Sequence, residues 1–224
     1  MKRLLVLAIL LCGAAAFLSA SGAGESAGGS VTGFTGIVQY LEGDVTMDGR
    51  PLEIGDRVIS GSTFVTAPDS SCEILFGGKN IFRIRENTVV VITLKKGQGE
   101  LDLQKGGMAL VLQKLETLGN REPEFGVTTP SASLGVRGTA FFVQVESETS
   151  TYICACNGTL QVEDGKSRQA QELTGTHHKA LRFEARADGS YAAGPAAMLY
   201  HDDGDLDSLA AEIGETIPWG TGGY

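Results

Sequence analysis

The sequence predicts an all-β fold, a sandwich or roll of short antiparallel strands with a short C-terminal helical tail. Short runs of alternating apolar and polar residues recur from Gly36 to Phe183, a pattern typical of strands that bury one face. Turn pairs such as Asp48-Gly49 and Asn157-Gly158 separate the runs at intervals of about 8 to 12 residues, the spacing expected of such folds. No segment before residue 196 shows the apolar periodicity of a helix.

The individual strands are predicted from β-branched and aromatic residues that lie between consecutive turn signals. Two of these signals, Lys105-Gly106-Gly107 and Asn157-Gly158, are expected to be turns that each end one strand before the next begins. The predicted strands are Ile37–Leu41, Cys72–Phe76, Ile81–Ile84, Val89–Leu94, Glu100–Leu103, Met108–Leu112, Ala140–Glu146, Thr151–Cys156 and Thr159–Glu163.

The tail is predicted to contain a helix between Ala196 and Ile213, where leucine and isoleucine recur at helix-compatible spacing. Asp205 and Asp207 suit the first turn, because carboxylates complement the positive end of the helix dipole. Gly214 is a typical helix stop. We expect the helix to dock on the sheet, with a partner-binding or lid element as the alternative.

Residues 1–23 have the layout of a secretory signal peptide. Met1-Lys2-Arg3 is basic, Leu4 to Leu18 is almost wholly apolar, and small residues follow. The apolar run is shorter than the roughly 20 residues of a membrane span. Cys12 raises the alternative of a lipoprotein, but the residues before it are leucines rather than small residues. An exported protein, periplasmic or on the outer surface, is therefore expected.

Three further segments complete the expected organisation. Residues 24–35 are rich in glycine and serine and read as a flexible linker, 36–184 as the β domain, and 185–224 as the tail. The formal net charge of −9 repels phosphate backbones, so nucleic acid is not an expected partner. The membrane is expected to be contacted only through a retained signal or lipid anchor.

A motif lies at the centre of the predicted β domain. From Phe125 to Val143 the chain follows F-x-V-x-T-P-x-A-x-x-x-V-R-G-T-x-F-x-V, which resembles the signature of the FecR domain, the periplasmic part of iron-dicitrate-type sensor proteins. The similarity extends over roughly Gly36 to Val162. It implies a fold more firmly than a function, because one domain fold hosts many functions.

The resemblance and the residues together make predictions about this motif. Its structural residues are expected to form a corner between two strands, with Arg137 held between them and paired to a carboxylate or to carbonyls, since an unpaired buried cation is costly. FecR-type sensors carry a sigma-factor-regulating segment before their membrane helix, whereas only three residues precede the apolar run here, so that segment is not expected. The structural residues are Thr129, Pro130, Arg137, Gly138 and Thr139.

A metal site is predicted from cysteine and histidine. Cys154 and Cys156 lie two apart on a predicted strand, so their thiols share one face. His177 and His178 follow, and two thiolates with two imidazoles form a tetrahedral ligand set for zinc, with iron as an alternative. Adjacent histidines on a strand point apart, so both can bind one metal only if a turn intervenes. His201 could replace one of them if the tail folds back.

Two other interpretations of the cysteines stay open. In an oxidising compartment Cys72 could form a disulfide with Cys154 or Cys156. The thiols could also be buried apolar residues without further function, as free cysteine often is.

The sequence favours a non-enzymatic function, because no nucleophile–base arrangement or carboxylate pair is marked out. We expect an exported FecR-like module of the bacterial cell envelope that binds another envelope protein or a small ligand. One alternative is a metal-dependent redox or hydrolytic protein that uses the Cys/His residues. The other is a purely structural envelope scaffold.

Overall fold

The computed structural model describes residues 36–95, 98–113, 125–136, 138–164 and 170–221. These residues form fifteen strands and one short helix. In chain order the elements are β1 (Gly36–Glu42), β2 (Val45–Met47), β3 (Arg50–Pro51), β4 (Ser62–Thr66), β5 (Ser71–Phe76), β6 (Asn80–Ile84), β7 (Val89–Lys95), β8 (Gln98–Leu112), β9 (Phe125–Thr128), β10 (Ala132–Val136), β11 (Ala140–Ser147), β12 (Ser150–Asp164), β13 (Ala170–Gly175), β14 (Lys179–Ala185), β15 (Tyr191–Ala196) and α1 (Asp203–Ala211).

The strands form two sheets that share the long strands β8 and β12. The first sheet has the order β15-β14-β12-β11-β8-β6-β5-β1. The second has the order β13-β12-β10-β9-β8-β7-β4-β2-β3. Together they make a small mixed β-barrel with outer strands, which confirms the predicted β class and the short C-terminal helix. One pair, β8 with β9, is parallel, although antiparallel pairing was expected throughout.

Two predicted turns are instead corners within single strands. At Gly106 the strand β8 passes from its partner β7 in the second sheet to β6 and β11 in the first. At Asn157-Gly158 the strand β12 passes from β11 and β14 to β10 and β13. Positive φ angles, 80° at Gly106 and 125° at Gly158, bend each strand without ending it. Glycine signals a backbone bend, and the wider sheet decides whether the chain reverses there.

Two apolar clusters lie on opposite faces of the first sheet. The larger one fills the space between the two sheets and includes the fully buried Phe82, Phe141 and Ile153. The smaller one lies on the outer face of the first sheet, where alternate residues such as Phe142 and Tyr152 point away from the barrel. Helix α1 and the residues around it cover that outer face.

The Thr129-Pro130 part of the motif forms a tight turn between β9 and β10, not a corner leading directly to the next long strand. Thr129 donates its backbone N–H to the Ala132 carbonyl at 2.8 Å, and its hydroxyl lies 3.0 Å from the buried hydroxyl of Thr151 on β12. The strand β10 was not among the predicted strands, although Ala132, Leu134 and Val136 are buried at alternate positions along it.

The second part of the motif supports the corner of β12. The buried hydroxyl of Thr139 donates to the Asn157 carbonyl at 2.7 Å, and Gly138 has φ 56°. A side chain at Gly158 would meet this hydroxyl and lie 2.7 Å from Thr139 Cβ. The predicted pairing of Arg137 falls on a residue outside the described ranges.

Helix α1 begins at Asp203, seven residues after the predicted limit, and ends close to the predicted stop. A reciprocal capping box joins Asp202 and Asp205, and Gly214 has φ 70° beyond the last turn. Between Ala196 and the helix the chain crosses the outer face of the first sheet instead of continuing as a helix. Leu206, Leu209 and Ala210 are the buried helical residues.

Several short strands were not predicted, because each is short, polar or interrupted by glycine or proline. They are β2, β3, β4, β10, β13, β14 and β15. The strand β15, which follows residue 184, pairs with β14. The signal peptide, the linker and Cys12 lie outside the described residues, and the expected domain boundaries stay predictions. Within the described ranges, no helix has the length and apolar character needed to cross a membrane.

Candidate metal centre

Strand β12 contributes two thiols to the outer face of the first sheet. Cys154 and Cys156 are separated by one residue, so both point away from the barrel interior, as the sequence predicts. Both are fully buried, and they belong to the cluster that the C-terminal segment covers. Two buried thiols among apolar side chains are expected to have hydrogen-bonding or metal partners.

The turn between β13 and β14 brings His178 over these thiols. Its backbone N–H donates to the Cys156 carbonyl at 3.1 Å, and its φ of 46° turns the chain between His177 and Lys179. Gly175 lets the turn approach β12, since a Cβ there would collide with the Ala155 carbonyl. The sequence predicted that the two histidines could bind a metal together only if a turn lay near them, and the structure has that turn.

The fourth member comes from the C-terminal segment. His201 lies just before helix α1, and its ring stacks on Phe142 with centroids 4.5 Å apart and planes at 8°. This contact holds the imidazole parallel to the Phe142 ring, with its Nε2 directed at the Cys156 sulfur. His201 is 7% exposed and His178 is 7% exposed, so all four side chains are buried.

The four donor atoms converge on one point. The sulfur of Cys154 lies 3.7 Å from His178 Nδ1, and that of Cys156 lies 3.2 Å from His201 Nε2. The two imidazole nitrogens are 3.1 Å apart. Tetrahedral zinc with Zn–S near 2.3 Å and Zn–N near 2.0–2.1 Å places its ligand atoms about 3.3 to 3.8 Å apart. These three distances lie at or slightly below that range, and all four ligand atoms lie within 4.8 Å of one another, so the residues fit a tetrahedral ion.

The outer nitrogen of each imidazole has its own acceptor. Asp203 Oδ1 lies 2.6 Å from His178 Nε2, and the Leu199 carbonyl lies 2.8 Å from His201 Nδ1. Each outer N–H donates to its oxygen, which leaves the lone pair of the inner nitrogen directed at the thiols. A carboxylate or carbonyl behind a histidine is the usual outer support of a metal ligand.

The electrostatics of the cluster favour a thiolate. The hydrogen bond from Cys156 is the main influence that lowers the pKa of Cys154, to about 4, with His178 and His201 adding to it against the effect of burial. Burial raises the pKa of Cys156, as does the neighbouring Cys154 sulfur. One thiol thus ionises readily and the other needs a further positive charge, which a divalent metal supplies.

In the structure, His201 replaces His177 in the predicted ligand set. Cys154, Cys156 and His178 come together as expected, but His201 takes the fourth place. His177 instead lies 3.0 Å from Asp203 and 5.1 Å, between ring centroids, from Trp219. His177, His178 and Asp203 form a second, half-buried group around the carboxylate. The exchange was foreseeable only if the tail folded back, which no local pattern specifies.

Cys72 lies apart from this centre. It belongs to the cluster between the two sheets, on the opposite face of the first sheet from Cys154 and Cys156. All three cysteines of the described residues are free thiols. Burial raises the pKa of Cys72 to about 12, so it behaves as an apolar residue. The alternative of a disulfide from Cys72 to the C-x-C pair does not agree with this arrangement.

A half-buried acid, Glu146, holds another part of the C-terminal segment. Glu146 receives two 2.7 Å hydrogen bonds from Arg182 on β14 and a third, also 2.7 Å, from the Tyr200 hydroxyl. Burial alone would raise the pKa of Glu146, but these bonds and one from Ser150 lower it to about 2. The ionised carboxylate therefore joins β11, β14 and the residue beside His201.

This acid gives the protein a specific pH dependence. Because the folded-state pKa lies below the usual 4.5, its contribution is present above about pH 4.5 and is lost as the pH falls toward 2. Glu146→Gln is expected to lower the free energy of unfolding at pH 7 by about 1 to 2 kcal/mol, a discounted value because Arg182 is 31% exposed. The variant should lose less stability than the wild type in urea unfolding between pH 4.5 and 2.5. Parallel curves for the two proteins would contradict the assignment.

Comparison with known proteins finds similarity to one family model and to two solved structures. The family model described as FecR protein matches residues 62–166. Two solved structures from Parabacteroides distasonis ATCC 8503, each described as a "putative anti-sigma factor", are also similar. One matches with a TM-score of 0.46 and 12% identity over 67% of this chain, and the other with 0.36 and 15% over 58%. This chain spans 64% and 54% of their lengths. No curated protein matches the chain.

Proposed function

We propose that the protein is an exported, non-enzymatic interaction module of the bacterial cell envelope that contains a structural zinc centre. The match of the family model described as FecR protein to residues 62–166 supports the interaction role. Cys154, Cys156, His178 and His201 are the proposed ligands. The convergence of these four buried donor atoms is the observation that carries the proposal. The partner is expected to be an envelope protein or a small ligand bound by the β-framework.

Closure of the centre favours a structural role for the metal. Four protein ligands complete a tetrahedral shell, whereas catalytic zinc sites use three and leave one position for water or substrate. All four ligands are buried beneath the C-terminal segment, so a substrate would have to displace a histidine to reach the ion. The metal-dependent enzyme is therefore the weaker alternative.

The donor set favours zinc over other ions. Two thiolates with two imidazoles, each supported from behind, make a common structural zinc shell. Iron accepts the same ligands, so elemental analysis of the purified protein is needed to distinguish zinc from iron. A bound divalent ion would stabilise both sulfurs as thiolates at neutral pH.

Elemental mass spectrometry of the purified full-length protein tests the centre. The wild type is expected to hold close to one equivalent of zinc. Cys154→Ser should lower this at least about tenfold, because a neutral hydroxyl replaces a thiolate ligand. Cys72→Ser is the matched control and should keep its zinc, since Cys72 faces the other side of the sheet. Wild-type protein without metal, after purification without chelators, would contradict the centre.

The interaction role needs a separate test. The immobilised full-length protein is expected to retain an envelope protein from a crosslinked envelope extract, or a small ligand from a defined set. Its acidic surface predicts that a protein partner would present basic residues, and that binding would weaken as salt rises. Recovery of nothing in either format would favour the purely structural scaffold.

A further inference from the structure

Residues 197–221, called here the C-terminal segment, cover an apolar face of the first sheet. The outer face includes Ile81 and Val111 in addition to the aromatic residues Phe142 and Tyr152. Leu206, Leu209 and Ile217 of the segment pack against it. Without this cover, the sheet would present a continuous apolar surface to solvent.

The C-terminal segment is attached to the first sheet in two ways: through the buried proposed ligand His201, and through contacts at the edge of the covered face. Three metal ligands belong to the sheet and its hairpin turn, whereas His201 is the ligand from the segment. The marginal contacts include ion pairs from Arg83 and Arg85 to Asp205 at 3.6 Å and 3.3 Å. A metal ion would thus join the segment to the sheet at a point that solvent does not reach.

The remaining contacts lie on either side of His201 and include the Tyr200 hydrogen bond to Glu146 and the burial of helix α1. Helix α1 has nine residues, and a helix of that length is marginal in water without packing. Partly exposed ion pairs contribute little each, and three buried aliphatic side chains of the helix provide its apolar contact. Asp203 of the segment also contacts His177 of the hairpin turn, at 3.0 Å.

We infer that the metal is a latch, and that its occupancy controls whether the C-terminal segment covers or exposes the outer face of the first sheet. This inference rests on the proposed metal centre. With the metal bound, the C-terminal segment covers the outer face of the first sheet. Without it, His201 separates from the two thiols, residues 197–221 detach, and the apolar face opens while the barrel stays folded.

Trp219 is a built-in reporter of the latch. Its ring stacks on His178 with centroids 5.0 Å apart, and its Nε1–H donates to Asp207 at 3.0 Å. It is the one tryptophan of the chain, so its emission reports this segment alone. The Gly220 N–H donates to the Thr176 carbonyl at 2.9 Å, which places the reporter at the hairpin turn that carries His178.

The experiment is a chelator titration of the zinc-loaded full-length protein. Four readings are taken together: metal content, Trp219 emission, cleavage within residues 197–221 by limited proteolysis, and far-ultraviolet circular dichroism. Removal of zinc is expected to shift Trp219 emission to the red and to raise the cleavage rate in the segment at least about tenfold. The β signal should persist, and an apolar dye should bind the opened face. Zinc, and not magnesium, should reverse every change.

Each other outcome overturns the latch in a recognisable way. Stoichiometric zinc whose removal leaves Trp219 emission and cleavage unchanged would keep the metal centre but refute the latch. Loss of the whole β signal on zinc removal would make the metal a requirement for the fold rather than for the segment. Protein that never binds zinc would refute the proposed centre and the latch together. Because the wild type is used throughout, a variant that fails to fold does not affect the result.

Discussion

Replacing His201 by alanine is expected to lower the zinc content of the purified protein from near one equivalent to about a tenth or less. The reason is geometric, because His201 Nε2 lies 3.2 Å from Cys156 Sγ and 3.1 Å from His178 Nδ1, inside the ligand set. The three ligands that stay on the sheet would leave an open position, which weakens a site built for four. Elemental mass spectrometry after dialysis against zinc-free buffer measures the effect.

The matched control is His177→Ala. The same residue type is removed from the same region, but His177 contacts Asp203 and Trp219 and lies outside the Cys2His2 group. We expect this variant to keep most of its zinc, with affinity reduced only through the freedom that Asp203 gains. The reverse ranking, in which His177→Ala loses the metal and His201→Ala keeps it, would restore the ligand set predicted from sequence.

Alanine at Gly106 is expected to destabilise the protein by about 3 kcal/mol or more, a large fraction of the stability of an ordinary domain. Gly106 has φ 80°, and its missing Cβ would lie 2.6 Å from Thr88 Cα and 2.8 Å from the Asn87 carbonyl. These are backbone atoms that cannot move aside without disturbing the point where β8 passes between the sheets. The buried Thr88 hydroxyl, which accepts a hydrogen bond from the Gly107 N–H at 3.0 Å, would be displaced too.

The control for this prediction is Gly78→Ala. Gly78 has nearly the same φ, 79°, but a Cβ there would meet nothing within 4 Å. The substitution should therefore cost only the backbone strain of about 1 to 2 kcal/mol. Urea unfolding of both variants at pH 7 separates the steric effect from the conformational one. Equal costs would show that the corner of β8 relaxes and that close contact at Gly106 is unimportant.

The apolar residues predicted most of the strand segments in the core, but the long strands β8 and β12 were each predicted as two strands. In β7, for example, apolar residues are buried at every second position, whereas β11 was predicted from its β-branched and aromatic residues. Strands such as β13 and β15 were missed, because their residues are polar or small and their pairing is provided by the neighbouring strands. Membership in a sheet is a long-range property of such segments.

The same division holds at the candidate centre. Spacing alone predicted that Cys154 and Cys156 share one face of a strand, since side chains two apart on a strand point the same way. Choosing between His177 and His201 required two facts that depend on tertiary structure: the left-handed backbone at His178 and the return of the tail across the sheet.

The sequence by itself determined the β class, the FecR-like motif and the pair of thiols on one strand. Each of these is a local feature, determined by residue type and spacing over a few positions. The tertiary structure decided that Gly106 and Gly158 bend strands between two sheets, and that His201 joins the thiols from 45 residues away. Those outcomes depend on which surfaces are buried against each other, because burial of the outer face draws the C-terminal segment back over β12.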